Sequence, residues 1–495
     1  MLTNIPLTLI PGAAIEFDNR NAVRGLIGMP RSITLIGQVA AGAPIVRNEL
    51  VSVTSDTQAD TDCGRGSMLA AMAKAALRNN QRVPVQYIAV DDDPAALEAI
   101  WHLTFAVDAQ ELTAGTLTRY IAATPYSGRI SIAVAADDDA DTLAQRFADA
   151  VNANGDVPVT ATTDLGNSPG ACILTCRWHG ESGNDIQIMS AVNGERDPAG
   201  VTTVVSEEQA GTLNPDIQDA LAAVGDLHLT KIAMPYLDQV SLATLEADLD
   251  RRWSTESQKD GRAVISPTGD YADLVIFADA NRNSHQVVGM GFDGSPTPSY
   301  VRAADLAAAI EPSAAVDPGV AFEGLVLRST LAPKPAVRFN EDQREVLLGK
   351  GISTYRVDAS GRVIVERLVT MYNMNSQGGA DPSYQDLNTV EVLSYWRWHQ
   401  LNQIALQLRG FKLAPDGTPI SPRAGKVMTP QRMGSWLISH YQQFIDVGLM
   451  TNLDDYKATL VVLINESDPN RLDTHQEPNV INQLRFVATT AAFVR

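Results

Sequence analysis

Cys172 and Cys176 lie four residues apart on a segment that reads as a strand, so both thiols share one face with His179 close behind, a pattern that could favour a metal. A second pair of ligands is missing. The seven histidines (His102, His179, His228, His285, His399, His440 and His475) are scattered, and no two have metal-ligand spacing. The two thiols therefore read as small buried side chains. Acidic triplets at Asp91, Asp92 and Asp93 and at Asp137, Asp138 and Asp139 sit beside helix starts, where carboxylates cap and solvate more often than they hold a cation. Trp396, Trp398 and His399 diverge around one helical segment, which suits packing better than a sugar or cofactor shelf. The sequence contains no Gly-x-x-x-x-Gly-Lys-Ser/Thr loop, Gly-x-Ser-x-Gly elbow or His-Glu-x-x-His pair. It offers no catalytic, cofactor-binding or metal-binding residue, and the expectation is a protein that is not an enzyme.

With 495 residues, 45% hydrophobic and 19% charged, the chain has the composition of a globular protein of two to four domains. Its longest apolar run, residues 458–464, suits a buried strand and is far short of a membrane span. Residues 1–12 lack the basic start of a secretory signal, and the odd count of three cysteines (Cys63, Cys172, Cys176) builds no disulfide framework. The chain reads as made and kept in a cytoplasm. A net charge of -20 argues against nucleic acid as the main partner. That charge is uneven: residues 106–215 carry 15 acidic and 5 basic residues, whereas residues 392–445 carry Arg397, Arg409, Lys412, Arg423, Lys426 and Arg432 against the single acid Asp416. One region should face water and repel its own copies, and another is mildly basic.

Residues 33–38 predict a buried strand, residues 67–80 an alanine-rich helix capped by Ser67, and residues 84–90 a second strand. The rhythm resumes with strands at 227–234, 262–266 and 286–291 and helices at 241–258, 270–280 and 301–310, which predicts a helix-covered, mostly parallel sheet. Between these halves, a strand at 130–135, a helix at 141–152 and short strands at 158–163, 171–177 and 185–191 read as a small inserted α+β domain. After Pro333 and Pro335 a long strand is expected at 361–372, helices at 387–408 and 430–447, and strands at 458–464 and 484–494. Residues 10–17 and 485–494 are apolar strand candidates with no neighbour in sequence to pair with, so they are expected to pair with other chains.

Several blocks in order carry a family resemblance. Residues 349–355 (GKGISTY), 358–372 (DASGRVIVERLVTMY) and 381–389 (DPSYQDLNT), followed by 412–417, 427–430 and 468–473, resemble contractile bacteriophage tail sheath proteins, especially the Mu-like group. The opening blocks 11–19 (PGAAIEFDN) and 33–38 (ITLIGQ) are similar to that family's start, and 156–161 and 180–186 match its texture. Met371, where a second threonine is expected, is a conservative departure.

The resemblance implies a structural subunit that polymerises as stacked hexameric rings around a tail tube and contracts to drive it through a bacterial envelope. Its fold class would be mixed α/β and α+β, multidomain: an N-terminal arm (1–28), a middle α/β domain (29–105 with 216–335), an outward-facing insert (106–215), a C-terminal domain lining the tube (336–480) and a C-terminal strand arm (481–495). Ile15, Glu16, Phe17, Arg485, Phe486, Val487, Phe493 and Val494 would lie in inter-subunit strands, and Arg409, Lys412, Arg423, Lys426 and Arg432 would face the tube. Implied partners are further copies, the tail tube protein, and the baseplate and tail terminator proteins, with no cofactor, nucleic acid or membrane insertion. The place of work would be the virion, after assembly in the host cytoplasm. A phage-derived bacteriocin or other injection device is the alternative within this class, and an α/β enzyme is the remote one.

Overall fold

A computed structural model describes residues 26–80, 82–280, 283–419 and 425–493. They form two compact units, one of Pro30–Ser394 with the tail from Gln483 onward, the other of Tyr395–Asn482 with the described residues up to Met29.

In the larger unit, β1 (Ile33–Gln38) is buried along its whole length, the pattern of a strand covered on both faces. The chain continues through β2 (Leu50–Val53), α1 (Asp56–Cys63), α2 (Met68–Asn79) and β3 (Val85–Val90). Ser67 caps α2 as its sequence predicts, the hydroxyl accepting from the Ala70 amide. Next come β4 (Glu98–Val107), β5 (Gly115–Ile121), β6 (Arg129–Val134), α3 (Ala140–Ala153), β7 (Val159–Thr163), β8 (Ala171–His179), β9 (Ile188–Met189) and β10 (Val201–Gln209). These strands leave the main sheet and make two antiparallel ones, ordered β10-β4-β8-β7 and β6-β5-β9, with α3 packed on them.

The chain then returns through α4 (Gln218–Val224), β11 (Lys231–Ala233), α5 (Gln239–Trp253), β12 (Arg262–Ile265), α6 (Tyr271–Ala280), β13 (Val287–Met290) and α7 (Ser299–Val316). It finishes the main sheet with β14 (Val326–Leu331), α8 (Glu341–Gly349), β15 (Ile352–Val357) and β16 (Arg362–Arg367). The order is β14-β16-β15-β13-β12-β11-β1-β3-β2. Six adjacent strands from β15 to β3 run parallel, and β2, β16 and β14 add antiparallel borders. The expected helix-covered parallel sheet is present, and the fold is mixed α/β with antiparallel additions. Strands β15 and β16, from the segment expected to open a separate domain at 336, complete this sheet instead, and the two units divide between Ser394 and Tyr395.

Helix α9 (Leu387–Gln407) begins in the larger unit, and its residues from Tyr395 belong to the smaller one. There β17 (Lys412–Leu413) pairs with β18 (Val427–Met428), followed by α10 (Pro430–Asp446), α11 (Leu453–Thr459) and the hairpin of β19 (Val461–Ile464) and β20 (Leu472–His475). Thr429 caps α10 with Pro430 at its first position, again as the sequence predicts. Met428, Met433 and Leu437 form the apolar centre, joined by Ile404, Leu408, Leu460, Val462 and Leu472.

Several expected strands are shorter than their sequence pattern. The apolar run at 458–464 begins as the end of α11, whose buried Tyr456 fixes that turn, so only Val461–Ile464 is strand. The stretch 361–372 stops laddering at Arg367, because the Val369 amide and carbonyl turn to the Ser353 hydroxyl and the Thr370 hydroxyl to the Tyr384 carbonyl. At 185–191 only Ile188–Met189 pairs, since Glu181–Asp185 coils into a 3₁₀ turn. Helix α7 runs six residues past its predicted end, through Pro312.

Candidate functional site: the chain tail and the surfaces around it

In an open parallel sheet, ligands bind outside the C-terminal ends of the strands where the strand order reverses. Here that point lies between β1 and β11, because the chain moves from β1 toward β3 and later from β11 toward β15. The place is filled by the protein itself. Gln38, fully buried at the end of β1, donates to Asp92 Oδ1 at 2.6 Å and to the His179 carbonyl, while the His179 amide donates to Asp92 Oδ2 at 3.2 Å. Ser182, in the turn after β8, donates to Gln38 at 3.4 Å and accepts from Trp178 Nε1 at 3.1 Å. Trp178 meets Tyr300 edge-on at 5.6 Å, and Tyr236 is buried just beyond β11. Asp92 is thus a positioning group for a loop.

The sequence-flagged thiols have an equally plain environment. Cys63, Cys172 and Cys176 are buried and unpaired by disulfides, and burial pushes each thiol up to about 12. His179 Nε2 lies 3.1 Å from Glu98. Among the described residues no three His, Cys, Asp or Glu side chains group as metal ligands, and no helix is long and apolar enough to cross a membrane.

The tail is the chain's most unusual surface. Ile481 donates its amide to the Leu449 carbonyl, Gln483 reaches the Gly319 carbonyl, and Arg485 makes a 2.8 Å ion pair with Asp386. Each contact lies within one of the two units. Beyond Arg485 no described residue belongs to a strand, and Leu484, Phe486 and Phe493 are 81%, 84% and 89% exposed, with Val487 also in water. The expected strand at 484–494 therefore finds no ladder among the described residues. Ile15, Glu16, Phe17 and Val494 lie outside the described residues, as does Arg423.

The remaining basic candidates all lie in the smaller unit, three of them around the β17–β18 pair. Lys412 and Lys426 are joined by a backbone bond of 2.9 Å, the Lys426 ammonium lies 5.6 Å over the Phe411 ring, and Arg432 donates to the Val427 carbonyl at 2.8 Å. Arg409, Lys412, Lys426 and Arg432 are all exposed. Asp416, the acid of this stretch, accepts from the Gln431 amide in the first turn of α10.

Two buried clusters escaped sequence reading. His399 on α9 and His440 on α10 share a hydrogen bond of 2.8 Å between Nδ1 and Nε2, flanked by Trp436 stacked on His440 and Phe444 edge-on to His399. Burial lowers the pKa of both imidazoles, that of His440 to about 4. In the larger unit Lys231 Nζ lies 2.6 Å from Glu391 and 3.1 Å from Glu311, and Arg31 lies 2.8 Å and 3.3 Å from the same carboxylates. Burial of Glu391 would raise its pKa, but Lys231, Arg31 and Arg262 together hold it far below the usual carboxylate range.

Residues 210–371 match the family model of the phage tail sheath protein central domain. The Mu-like prophage FluMu tail sheath protein of Haemophilus influenzae is 32% identical over 493 residues, covering 99% of both chains. Among solved structures, the chain is similar to a sheath tail protein of Listeria innocua (12% identity, TM-score 0.48, 93% of this chain and 94% of that one). It is also similar to the helical sheath of the anti-feeding prophage in its contracted state (11% identity, TM-score 0.48, 98% and 99%). Identity of this degree along nearly the full length of a Mu-like relative shows the family: the chain belongs to the Mu-like contractile phage tail sheath proteins, and its role is that of a structural sheath component.

Proposed function

We propose that copies of this chain polymerise as stacked hexameric rings around a tail tube, and that the polymer shortens to drive the tube through a bacterial envelope. The observation that carries the polymer reading is the tail: residues 484–493 expose large apolar side chains and form no strand alone, the state of a segment awaiting another molecule's sheet. The β19–β20 hairpin offers a fitting receptor. Among the described residues it has two strands, and Val461 and Leu463 point their apolar side chains into water. In this reading the N-terminal arm, with Ile15, Glu16 and Phe17, makes the equivalent addition on another neighbour.

The acidic insert faces outward and the C-terminal domain faces the tube, with the cluster of Arg409, Lys412, Lys426 and Arg432, joined by Arg423, on that face. Partners are further copies, the tube, and the baseplate and terminator proteins, in a virion assembled in the host cytoplasm. The role involves no catalysis, a reading supported by the chain's own side chains filling the switch-point crevice. Shortening runs downhill because the extended polymer is metastable and the contracted one buries more surface between subunits, so it draws on no nucleotide.

Negative-stain electron microscopy of the purified chain tests the proposal. Hollow striated cylinders are the expected result, and discrete protomers at every concentration and salt would overturn it. Reversing the charge at Lys412, Lys426 or Arg432 should lower retention by immobilised tube in a pull-down by roughly tenfold, about 1.4 kcal/mol, while leaving self-assembly intact. Equal retention would remove these residues from the tube face.

A further inference from the structure

We propose that the first two turns of α9 are a common anchor for both ends of the chain, so that tension on one terminal arm reaches the other through ion pairs on a single helix. The inference rests on the reading of the ends as inter-subunit arms.

The N-terminal side enters through Arg31, two residues before β1 and next to the beginning of the described chain. Its guanidinium lies 2.8 Å from Glu391 on α9 and 3.3 Å from Glu311 on α7. Lys231, the first residue of β11, shares both carboxylates, and these side chains are at most 4% exposed. Arg262, the first residue of β12, donates to the Ser394 hydroxyl at 2.6 Å and to the Val390 carbonyl at 3.3 Å. Three cations at the starts of three adjacent strands are therefore aimed at one short piece of α9.

The C-terminal side reaches the same piece. Arg485 pairs at 2.8 Å with Asp386, the residue immediately before α9, and Arg367 stands 3.4 Å from the same carboxylate. Gln483 donates to the Gly319 carbonyl, and Asn388, in the first turn of α9, donates to the carbonyls on either side of it, Pro318 and Val320. Asp386 and Glu391 are five residues apart, about 7.5 Å along a helix axis.

Stability alone does not account for this arrangement. Buried ion pairs are commonly no more stabilising than apolar residues of the same volume, and their best-attested use is to fix register. A helix held by apolar contact alone can rotate or slide by a small step, whereas Glu391 can satisfy two cations in one position only. Fixing α9 in that way ties Arg31 to Arg485 through about one and a half turns of covalent chain, with no sheet ladder between them.

Hydrogen exchange on the full-length protomer tests the coupling. Arg485→Met, at a partly exposed position, should speed exchange roughly tenfold at residues 386–394 and also at residues 26–32, which Arg485 does not touch. Glu391→Gln should reciprocally speed exchange at residues 481–487. Effects confined to each variant's own contacts would overturn the proposal. Should Glu391→Gln fail to fold, Arg485→Met decides alone. The arms themselves are tested by polymer formation and the anchor by exchange in the protomer, so either reading can fail without the other.

Discussion

A chain lacking residues 486–495 is expected to fold and to form no tubes. The deletion spares Arg485 and its ion pair with Asp386, so the root of the tail stays in place. It removes Phe486, Val487 and Phe493, all exposed and without a role in either core. Burying three such side chains against a neighbour is worth roughly 4 to 9 kcal/mol before the cost of ordering the segment. In the proposed assembly each subunit would contribute one such contact, and a polymer losing it at every junction would lose its continuity. The protomer should keep its urea midpoint, because residues 486–493 are already in water. Sedimentation and electron microscopy distinguish the outcomes: soluble protomers of unchanged stability are expected, and tubes of normal length from the truncated chain would sink the strand-exchange reading.

The second large effect is on the smaller unit and comes from acid. The His399–His440 bond requires one imidazole to donate and the other to accept, which two neutral rings do without cost. The cause of the lowered pKa is burial for His399, and burial followed by the neighbouring imidazole for His440; no carboxylate contributes to either shift. Around the pair stand Tyr395, Trp398, Trp436 and Phe444, whose rings offset part of a positive charge but supply no anion. A histidine with a lowered folded-state pKa stabilises the fold fully above its unfolded value of 6.5, and that contribution fades as pH falls toward about 4. Through His440 alone the smaller unit should lose about 2 kcal/mol between about pH 7.5 and pH 5, read as a lower urea midpoint. A His440→Phe variant should show a flatter profile over that interval. Identical profiles for the two proteins would show that the pair does not govern acid sensitivity.

Neither histidine could be paired by reading the chain. They lie 41 residues apart on two helices, and only the packing of α9 on α10 makes them neighbours. The same holds for Arg31, Lys231, Glu311 and Glu391, where each residue has ordinary local surroundings and the cluster exists through topology alone. What local chemistry controls was legible: the Ser67 and Thr429 caps, the continuous apolar run of β1 and the alternation of strands and helices through β13. Strand β10 was not, because most of its residues face water and its strand state comes from pairing with β4. Helix α8 carries a local mark of its own, since Asn340 and Gln343 form a reciprocal capping box at its start. The tail lay between these cases. Its apolar pattern is visible in the sequence, while its lack of a partner among the described strands is a matter of the fold.

The greasy tip and the chain's negative charge act on different length scales. At physiological salt, repulsion among copies carrying -20 extends over about 8 Å, enough to slow random encounters without preventing contact at short range. In the proposed assembly a protomer approaching a growing end would meet a receptive strand edge, whereas two free protomers of the same net charge would repel one another. Such a polymer would favour elongation over nucleation, and the adhesive segment that would make an isolated molecule prone to clumping would become safe while there is an existing end to join.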